Sequence, residues 1–305
     1  MPLNTQIKQL LTTGQITQTD LAQQAGISTS ALSTYLKGTY KGNVENVEKS
    51  LALWLETQTK KQQVFVEAPQ FIETQTAKNV FYTLDMARLM QTSITVYGAS
   101  GVGKTKACRE YTQRNNNVWM VTSSPSRSSL GAILYDIALT LGVNNPPRRK
   151  DNLSRLVISK LEGTQGLVII DESDHLTYEA LEEIRFIQEK ADVGFAFIGN
   201  IEVYTKIQGG VNQASKYARV WSRIGKHYEI KASRKDDIKA IMAAWGLDTT
   251  DKDLMKVACE IGGKAGSLRI LTQYLRLAGI TAKGQGTAIT LELILQAQAQ
   301  MKGAN

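Results

Sequence analysis

The sequence predicts an α/β protein in which a parallel-sheet core is preceded and followed by helical regions. A glycine-rich loop, residues 98–105, comes directly after a short apolar strand and directly before a helix. Apolar strands alternate with helices from about residue 93 to residue 230, a pattern typical of a parallel sheet covered on both faces. The residues before 57 and after 234 carry helical patterns alone.

The composition fits this class. The chain has 305 residues, enough for two or three domains, and its 42% hydrophobic and 21% charged residues are ordinary for a globular protein. The formal net charge of +8 favours polyanionic partners. No apolar run is long enough to span a bilayer and no signal-peptide pattern begins the chain, so we expect a cytoplasmic protein without a membrane partner. The chain has two cysteines, Cys108 and Cys259, at no metal-ligand spacing, so the sequence supports neither a disulfide framework nor a zinc site.

Residues 1–56 are predicted to form a compact helical domain. Within it, residues 18–36 have the pattern of two short helices joined by Gly26, with Ser28 as the N-cap of the second helix. This segment resembles the helix-turn-helix of phage repressors, in which Ser28, Thr29 and Ser33 would face a DNA major groove. A helical hairpin used for protein contacts is the alternative. Since the face carries small hydroxyls without Arg, Asn or Gln, we expect little sequence preference.

The remaining chain is predicted to contain a linker, a core and a helical lid. Residues 57–70 are polar without a helical stripe and are assigned to the linker, residues 71–232 to the core, and residues 233–305 to the lid. A helix from Phe71 to about Met90 leads into the first strand. The other predicted elements are strands at 93–96, 118–122, 167–170, 194–198 and 227–230, helices at 128–141, 153–161, 178–190, 235–245, 251–261, 267–282 and 290–301, and an exposed loop at 142–150.

The glycine-rich loop has the spacing Gly-x-x-x-x-Gly-Lys-Thr, which predicts a phosphate loop for ATP or GTP. Its backbone N–H groups and the following helix would bind phosphates, Lys104 would reach the β- and γ-phosphates, and Thr105 would ligate Mg²⁺. A glycine-rich turn that fits by chance is the alternative, which the flanking strand and helix disfavour. Lys106 is a further candidate contact, although we expect it on the helix surface. The predicted nucleotide contacts are Gly98, Ala99, Ser100, Gly101, Val102, Gly103, Lys104, Thr105 and Lys106.

Two carboxylates follow the most apolar strand of the chain, residues 167–170. Asp171 can hold Mg²⁺ through water, and Glu172 can orient and deprotonate the attacking water. The alternative is a solvated start of a loop. Asn200 follows the neighbouring strand, where it could polarise the same water or cap a turn or helix; the order of elements favours the first role.

The combination of phosphate loop, Asp-Glu pair, asparagine and C-terminal helices resembles the AAA+ ATPases. The resemblance implies an arginine that reaches the nucleotide of the next subunit. Arg219 and Arg223 are the candidates, and Arg223 is preferred because it directly precedes the last strand. It also implies a lid arginine at the γ-phosphate of the same subunit, for which Arg269 is the candidate. An ordinary surface ion pair is the alternative for each arginine.

Several longer stretches resemble the phage Mu B transposition protein family, and they extend over nearly the whole chain. The resemblance implies an ATP-dependent, largely sequence-independent DNA-binding ATPase that forms helical filaments on duplex DNA in the host cytoplasm. It further implies that the protein delivers target DNA to the transposase of the same element and stimulates that transposase. Hydrolysis of ATP, which DNA and the transposase stimulate, would then release the DNA. The stretches are 71–76, 115–120, 147–150, 161–172 and 268–271.

A DNA filament needs ligands for the phosphate backbone. We expect Arg148, Arg149 and Lys150, after two stiffening prolines, and Arg185, on the helix after the Asp-Glu pair, to supply them. A solvated basic loop is the alternative. Two other functions stay open, a helicase loader and a nucleotide-sensing transcription regulator. A two-domain helicase, suggested by the run from Asp171 to His175, is disfavoured because only helices follow residue 230, so we expect His175 to cap or pack.

Overall fold

The structure is a computed structural model that describes residues 2–64, 69, 71–208, 217–264 and 267–303. It divides into two compact units, Met1–Glu67 with Gly279–Ala288, and Ala68–Ala278 with Ile289–Asn305. Across the described helices, none combines the length and the apolar character that a bilayer crossing requires. The helices are α1 (Leu3–Thr12), α2 (Gln18–Ala25), α3 (Thr29–Leu36), α4 (Val44–Val64), α5 (Gln75–Leu89), α6 (Lys104–Arg114), α7 (Leu130–Thr140), α8 (Lys150–Leu161), α9 (Tyr178–Ala191), α10 (Ile201–Gln208), α11 (Lys235–Ala244), α12 (Lys252–Gly262), α13 (Ser267–Gln285) and α14 (Leu291–Met301).

Five parallel strands form one sheet in the order β2-β3-β4-β1-β5, which confirms the predicted α/β class. Strand β1 lies between β4 and β5, and β3 is the next strand beyond β4. Because all strands run the same way, the segments that follow β1, β3 and β4 meet at one end of the sheet, the carboxyl edge. The strands begin at the opposite end, the amino edge. The strands are β1 (Ser93–Gly98), β2 (Val118–Thr122), β3 (Leu167–Asp171), β4 (Gly194–Gly199) and β5 (Ile224–Ile230).

Hydrophobic cores cover both faces of the sheet. Alternate residues of β3 enter opposite cores, as the period of a strand requires. Val168 and Ile170 pack in the core formed with α7, α8 and α9. Leu167 and Ile169 pack in the core formed with α5 and α6. This double burial explains why β3 is a continuous apolar run, and it fixes the position of the carboxylates that follow.

The N-terminal unit contains the two helices and the glycine turn that the sequence predicts. Gly26 has φ +70° after α2, a left-handed conformation that glycine adopts without strain. The Ser28 hydroxyl accepts a hydrogen bond from the N–H of Ala31 and caps α3. Leu21 and Leu32, one from each helix, are fully buried together in the core of this unit.

The structure corrects several predicted boundaries. Helix α4 continues to Val64, through residues 57–64 that were assigned to the linker. Those residues include no Gly or Pro, so nothing in the segment breaks a helix that is already formed. Of the rest of the predicted linker, only Pro69 is described. The division at residues 56, 70 and 232 stays a prediction.

Three other elements begin elsewhere than predicted. Helix α5 begins at Gln75, not Phe71, because Thr74 caps it through the N–H of Ala77. Helix α8 begins at Lys150, so the predicted loop ends one residue earlier and the helix starts before residue 153. Strand β5 begins at Ile224, three residues before its predicted start, and lengthens the pairing with β1.

Candidate nucleotide-binding site

The glycine-rich loop leaves β1 at the carboxyl edge and enters α6. Gly101 and Gly103 have φ +79° and +99°, conformations that residues with a side chain rarely adopt. Gly98 has φ +152°, and a Cβ on it would lie 2.1 Å from the carbonyl oxygen of Ile230 on β5. Gly103 is the N-cap of the 11-residue helix α6. The strand, loop and helix therefore have the predicted arrangement, with the positive end of a helix at the loop.

Lys104, the first residue of α6, folds back over the loop. Its Nζ donates hydrogen bonds to the carbonyl oxygens of Gly98 and Ala99, both at 2.8 Å. Burial lowers the pKa of Lys104, and the carboxylates of the Asp-Glu turn, Asp171 foremost, oppose that shift. The ammonium group thus lies at the loop itself, where an anion bound by the loop would meet it.

The residues predicted to hold Mg²⁺ contact each other. The Thr105 hydroxyl donates to Oδ2 of Asp171 at 2.8 Å, although the two residues are 66 positions apart. Asp171 ends β3 and is buried, and its Oδ1 accepts the N–H of Glu172 at 3.1 Å. A hydroxyl and a carboxylate are hard oxygen donors, the kind that Mg²⁺ prefers. The donor set therefore fits a magnesium ion at this edge.

Glu172 is exposed beside the buried Asp171. Its φ of +52° is left-handed, which costs a residue other than glycine roughly 1–3 kcal/mol and is typical of functional turns. Side-chain ligand atoms of Glu172, Asp174 and His175 lie within 4.8 Å of one another. Glu172 directly follows β3 and therefore lies at the same edge of the sheet as the phosphate loop.

Asn200 follows β4 at the carboxyl edge and caps a helix, one of the two roles left open by the sequence; its role at the attacking water stays a prediction. Its Oδ1 accepts the N–H of Glu202 at 2.7 Å, which caps the start of α10. Its Nδ2 donates to Oδ2 of Asp174 at 3.3 Å, which fastens it to the Asp-Glu turn. Lys206 on α10 strengthens this attachment, because its Nζ donates to the carbonyl oxygens of Asp174 and Leu176. The sequence analysis missed Asp174 and Lys206, whose roles depend on contacts between separate elements.

Arg223 lies at the opposite end of the sheet from the phosphate loop. It directly precedes β5, whose first residue, Ile224, pairs with the first residue of β1, whereas Ile230 pairs with Gly98. Six residues of strand separate the two ends, a distance of about 20 Å. An arginine side chain cannot cover that distance along the sheet, so Arg223 is out of reach of the nucleotide site of its own chain. Arg219, on the helical residues 217–221, is likewise exposed.

Comparison with known proteins decides the family. A model of the AAA domain matches residues 88–207, and one of the Mu B transposition protein C-terminal domain matches residues 222–301. The Mu-like prophage FluMu DNA transposition protein B of Haemophilus influenzae is 51% identical over 273 residues, covering 90% of this chain and 95% of that protein. The chain belongs to the Mu B transposition protein family.

Other relatives agree. The ATP-dependent target DNA activator B of Escherichia phage Mu is 42% identical over 291 residues, covering 95% of this chain and 92% of that protein. Among solved structures, Drosophila ORC bound to DNA has a TM-score of 0.53 at 14% identity, covering 81% of this chain and 66% of that chain, a likeness of fold alone. The AAA domain and the phosphate-loop geometry together make this Mu B family member an ATPase of the AAA+ class.

The basic residues predicted to contact DNA in this Mu B family member fall into two groups. Arg148, Arg149 and Lys150 are exposed together at the amino end of α8. The Arg148 guanidinium lies 4.8 Å from the centre of the Tyr135 ring, and Arg149 pairs with Asp151 at 3.2 Å. The positive end of α8 adds to the charge of this surface.

Arg185 is in a different environment. Its side chain is only 19% exposed, and its guanidinium pairs with Glu189 at 2.9 Å and with Glu182 at 3.6 Å. Two carboxylates already offset its charge, which does not favour a contact with DNA phosphate. The signal was present in the sequence, because the two glutamates lie three residues before and four residues after Arg185, on one helical face.

The remaining predicted site residues differ in their exposure. Lys106 is exposed on α6, as expected for the helix surface, and Arg269 is exposed near the start of α13. In the N-terminal unit, Ser28 and Thr29 are exposed at the start of α3, whereas Ser33 is half-buried. The hydroxyl of Ser28 is engaged in capping α3, whereas Thr29 is exposed and does not cap it.

Proposed function

We propose that this chain is an ATP-dependent, sequence-nonspecific duplex-DNA-binding ATPase that forms filaments on target DNA. It delivers that DNA to the transposase of the same element in the host cytoplasm and stimulates it, and hydrolysis releases the DNA. The observation that carries the proposal is the 2.8 Å contact between Thr105 and Asp171 beside the phosphate loop. The relative from phage Mu, an ATP-dependent target DNA activator, supports the context of transposition.

The residues at the carboxyl edge divide the chemistry between them. The N–H groups of the loop and Lys104 bind the phosphates, and Thr105 and Asp171 hold Mg²⁺. When bound, Mg²⁺ offsets the charge of the phosphate oxygens. Glu172 takes the proton of the attacking water as a general base, and Asn200 orients that water.

A second copy of the chain completes this site. Because Arg223 is about 20 Å from its own phosphate loop, it acts on the nucleotide of a neighbouring copy. A site completed by a neighbouring copy requires a head-to-tail assembly, and such contacts generate a helical filament when the rotation does not close a ring. DNA and transposase then stimulate hydrolysis by bringing copies into register.

The DNA surface of the filament includes Arg148, Arg149 and Lys150. These side chains are exposed and lie at a helix amino end, where phosphate oxygens are bound without reading bases. The exposed start of α3, including Thr29, adds a contact of slight sequence preference.

Two substitutions test the link between nucleotide and DNA. Lys104→Ala should abolish nucleotide binding and the ATP-dependent coating of random duplex DNA together, as seen by nucleotide binding assays and electron microscopy. Glu172→Gln should bind ATP and hydrolyse it about 10²–10⁴-fold more slowly, because the general base is lost, leaving long-lived filaments. Lys78→Ala, an exposed lysine on α5, is the control that keeps both properties.

Several outcomes would contradict this proposal. Coating that survives Lys104→Ala, or equal DNA binding with ADP and ATP, would remove the nucleotide link. Rapid disassembly of Glu172→Gln filaments in ATP would exclude Glu172 as the base. A base-specific footprint would favour a transcription regulator, and co-purification with a replicative helicase would favour a helicase loader.

The basic surface at α8 is tested by salt dependence. Replacing Arg148, Arg149 and Lys150 together by Ala should lower the slope of log affinity against log salt by about three, nearly one for each phosphate contact. Affinity should fall equally for unrelated sequences. Arg127→Ala, an exposed arginine paired with Asp136, is the control. An unchanged slope in the triple variant would exclude this surface.

A further inference from the structure

A row of four alternating charges runs along α9 toward the amino edge of the sheet and ends at Arg223. Glu182, Arg185 and Glu189 belong to α9, and Arg223 directly precedes β5. The two oxygens of Glu189 bind different arginines, since Oε2 lies 2.9 Å from Arg185 Nη1 and Oε1 lies 2.8 Å from Arg223 Nε. Glu189 is therefore a bridge between a helix of the core and the arginine that is proposed to act on a neighbouring copy.

The inner end of this row is firmly held. Arg185 is 19% exposed, and its Nε is fully buried without a hydrogen-bond partner among the described residues. Packing and two carboxylates thus fix its guanidinium, which in turn fixes one oxygen of Glu189. Next to it, Gln188 donates from Nε2 to the carbonyl oxygen of Gln91 at 2.6 Å and attaches the end of α9 to the residues before β1.

Arg223, at the other end of this row, is exposed to solvent. Arg223 is 59% exposed and borders an open cleft of about 400 Å³ with Glu189 and Ser222. The nitrogen of Arg223 nearest to Glu189 is Nε, and within the described part of the chain no carboxylate accepts a hydrogen bond from its terminal nitrogens Nη1 and Nη2. Those two nitrogens form the planar fork that binds a phosphate in two places. A contact that kept Arg223 inactive would engage its two terminal nitrogens. Glu189 accepts no hydrogen bond from them.

We propose that Glu189 is a positioning residue for Arg223. It holds the guanidinium by Nε and presents the two terminal nitrogens to the nucleotide of the neighbouring copy, while Arg185 anchors Glu189 from behind. This inference rests on the proposed action of Arg223 on a neighbour. It also gives Arg185 a role that its position after the Asp-Glu pair does not suggest, as an internal support for the interface between copies.

The first test compares turnover with nucleotide affinity in full-length protein on random duplex DNA. Glu189→Gln should lower kcat for ATP hydrolysis about tenfold, because the ion pair that orients Arg223 is lost. The KM for ATP should not change, since the phosphate loop of the same copy is intact. Glu179→Gln, an exposed carboxylate in the first turn of the same helix, is the control without effect. If Glu189→Gln does not fold, Glu189→Asp keeps the charge, shortens the reach and should show the same separation of kcat from KM.

The second test distinguishes positioning from a merely structural defect by mixing variants. Glu172→Gln copies cannot hydrolyse ATP but keep Arg223, whereas Glu189→Gln copies keep an intact pocket. Mixing the two should raise hydrolysis above the sum of the separate activities, because each Glu189→Gln pocket then receives a correctly held Arg223. Copies that carry both Glu172→Gln and Arg223→Ala should give no such rescue.

The outcomes separate this inference from the proposed function. Arg223→Ala should lower kcat by roughly 10³-fold, the scale of an arginine that stabilises a phosphoryl-transfer transition state, and adding Glu189→Gln should cause no further fall. An Arg223→Ala variant with normal hydrolysis would overturn both the neighbour's role and the inference. A normal or raised kcat for Glu189→Gln beside an impaired Arg223→Ala would overturn the positioning role alone, as would absence of rescue in the mixture.

Discussion

Asp237 joins the start of the C-terminal helices to the core, and its replacement should be strongly destabilising. The residue is fully buried in the first turn of α11. Its Oδ1 accepts the N–H of Thr76 at 3.0 Å, and its Oδ2 accepts the Thr76 hydroxyl and, at 3.3 Å, the N–H of Arg234. One carboxylate therefore satisfies free donors at the amino ends of α5 and α11, across 161 positions of sequence.

The magnitude follows from the groups left behind. Asp237→Ala leaves two donors of the buried Thr76 without an acceptor, at about 1–3 kcal/mol each. Loss of the capping contact at α11 adds about 1 kcal/mol. The sum is about 5 kcal/mol, which corresponds to a fall of about 10–20 °C in Tm for a unit of this size.

Calorimetry and urea unfolding of the full chain measure this effect. Asp236→Ala is the matched control, because the neighbouring carboxylate is exposed in the same helical turn and contributes only a few tenths of a kcal/mol through the helix dipole. Asp237→Asn keeps the shape and one acceptor and should lie between the two. Equal unfolding midpoints for Asp237→Ala and Asp236→Ala would refute the reasoning.

Two further predictions concern β1, the strand that leads into the phosphate loop, and β5, which pairs with it. Burial lowers the pKa of His227 below its ordinary value of 6.5, so the unfolded chain binds this proton at a higher pH than the folded chain does. The contribution of His227 to the free energy of unfolding should therefore be fully present above about pH 6.5 and fall as the pH drops below it. His227→Gln should flatten that dependence in urea titrations at pH 7.5 and 5.5, and an unchanged slope would argue against it. Gly98→Ala should destabilise by about 3 kcal/mol or more in urea unfolding, because its Cβ would meet the Ile230 carbonyl. Gly142→Ala, also at positive φ but with open space, should cost about 1 kcal/mol, and equal losses would exclude the clash.

Sequence patterns predict the sheet and the phosphate loop because both depend on local signals. Strand β2 has the predicted bounds, Val118–Thr122, since its apolar run ends abruptly on both sides. The phosphate-loop spacing predicts that Thr105 lies at the start of a helix beside the loop. The apolar run of β3 predicts that Asp171 lies at the carboxyl end of a buried strand. Their contact at 2.8 Å follows once two parallel strands end at the same edge.

The remaining features depend on contacts between distant segments. The sequence does not indicate that Thr76 and Asp237 meet, because each is unremarkable within its own helix. The charge of Arg185 alone suggests a DNA contact, and its two glutamate partners are visible in the sequence of α9, but the ion pair that joins Glu189 to Arg223 across separate elements is not. The polar end of α4 carries no apolar stripe, the pattern by which a sequence indicates a helix, so the sequence favours a linker where the helix continues.

The internal hydrogen bonds of Lys104 have a consequence for affinity. Its ammonium group donates to the carbonyl oxygens of Gly98 and Ala99, so a contact of that group with a triphosphate competes with these two hydrogen bonds. The pocket exchanges hydrogen bonds instead of adding them, and the net gain is smaller than a count of contacts suggests. Departure of the spent nucleotide is eased by the same exchange, because the loop regains its own internal bonds as the product leaves.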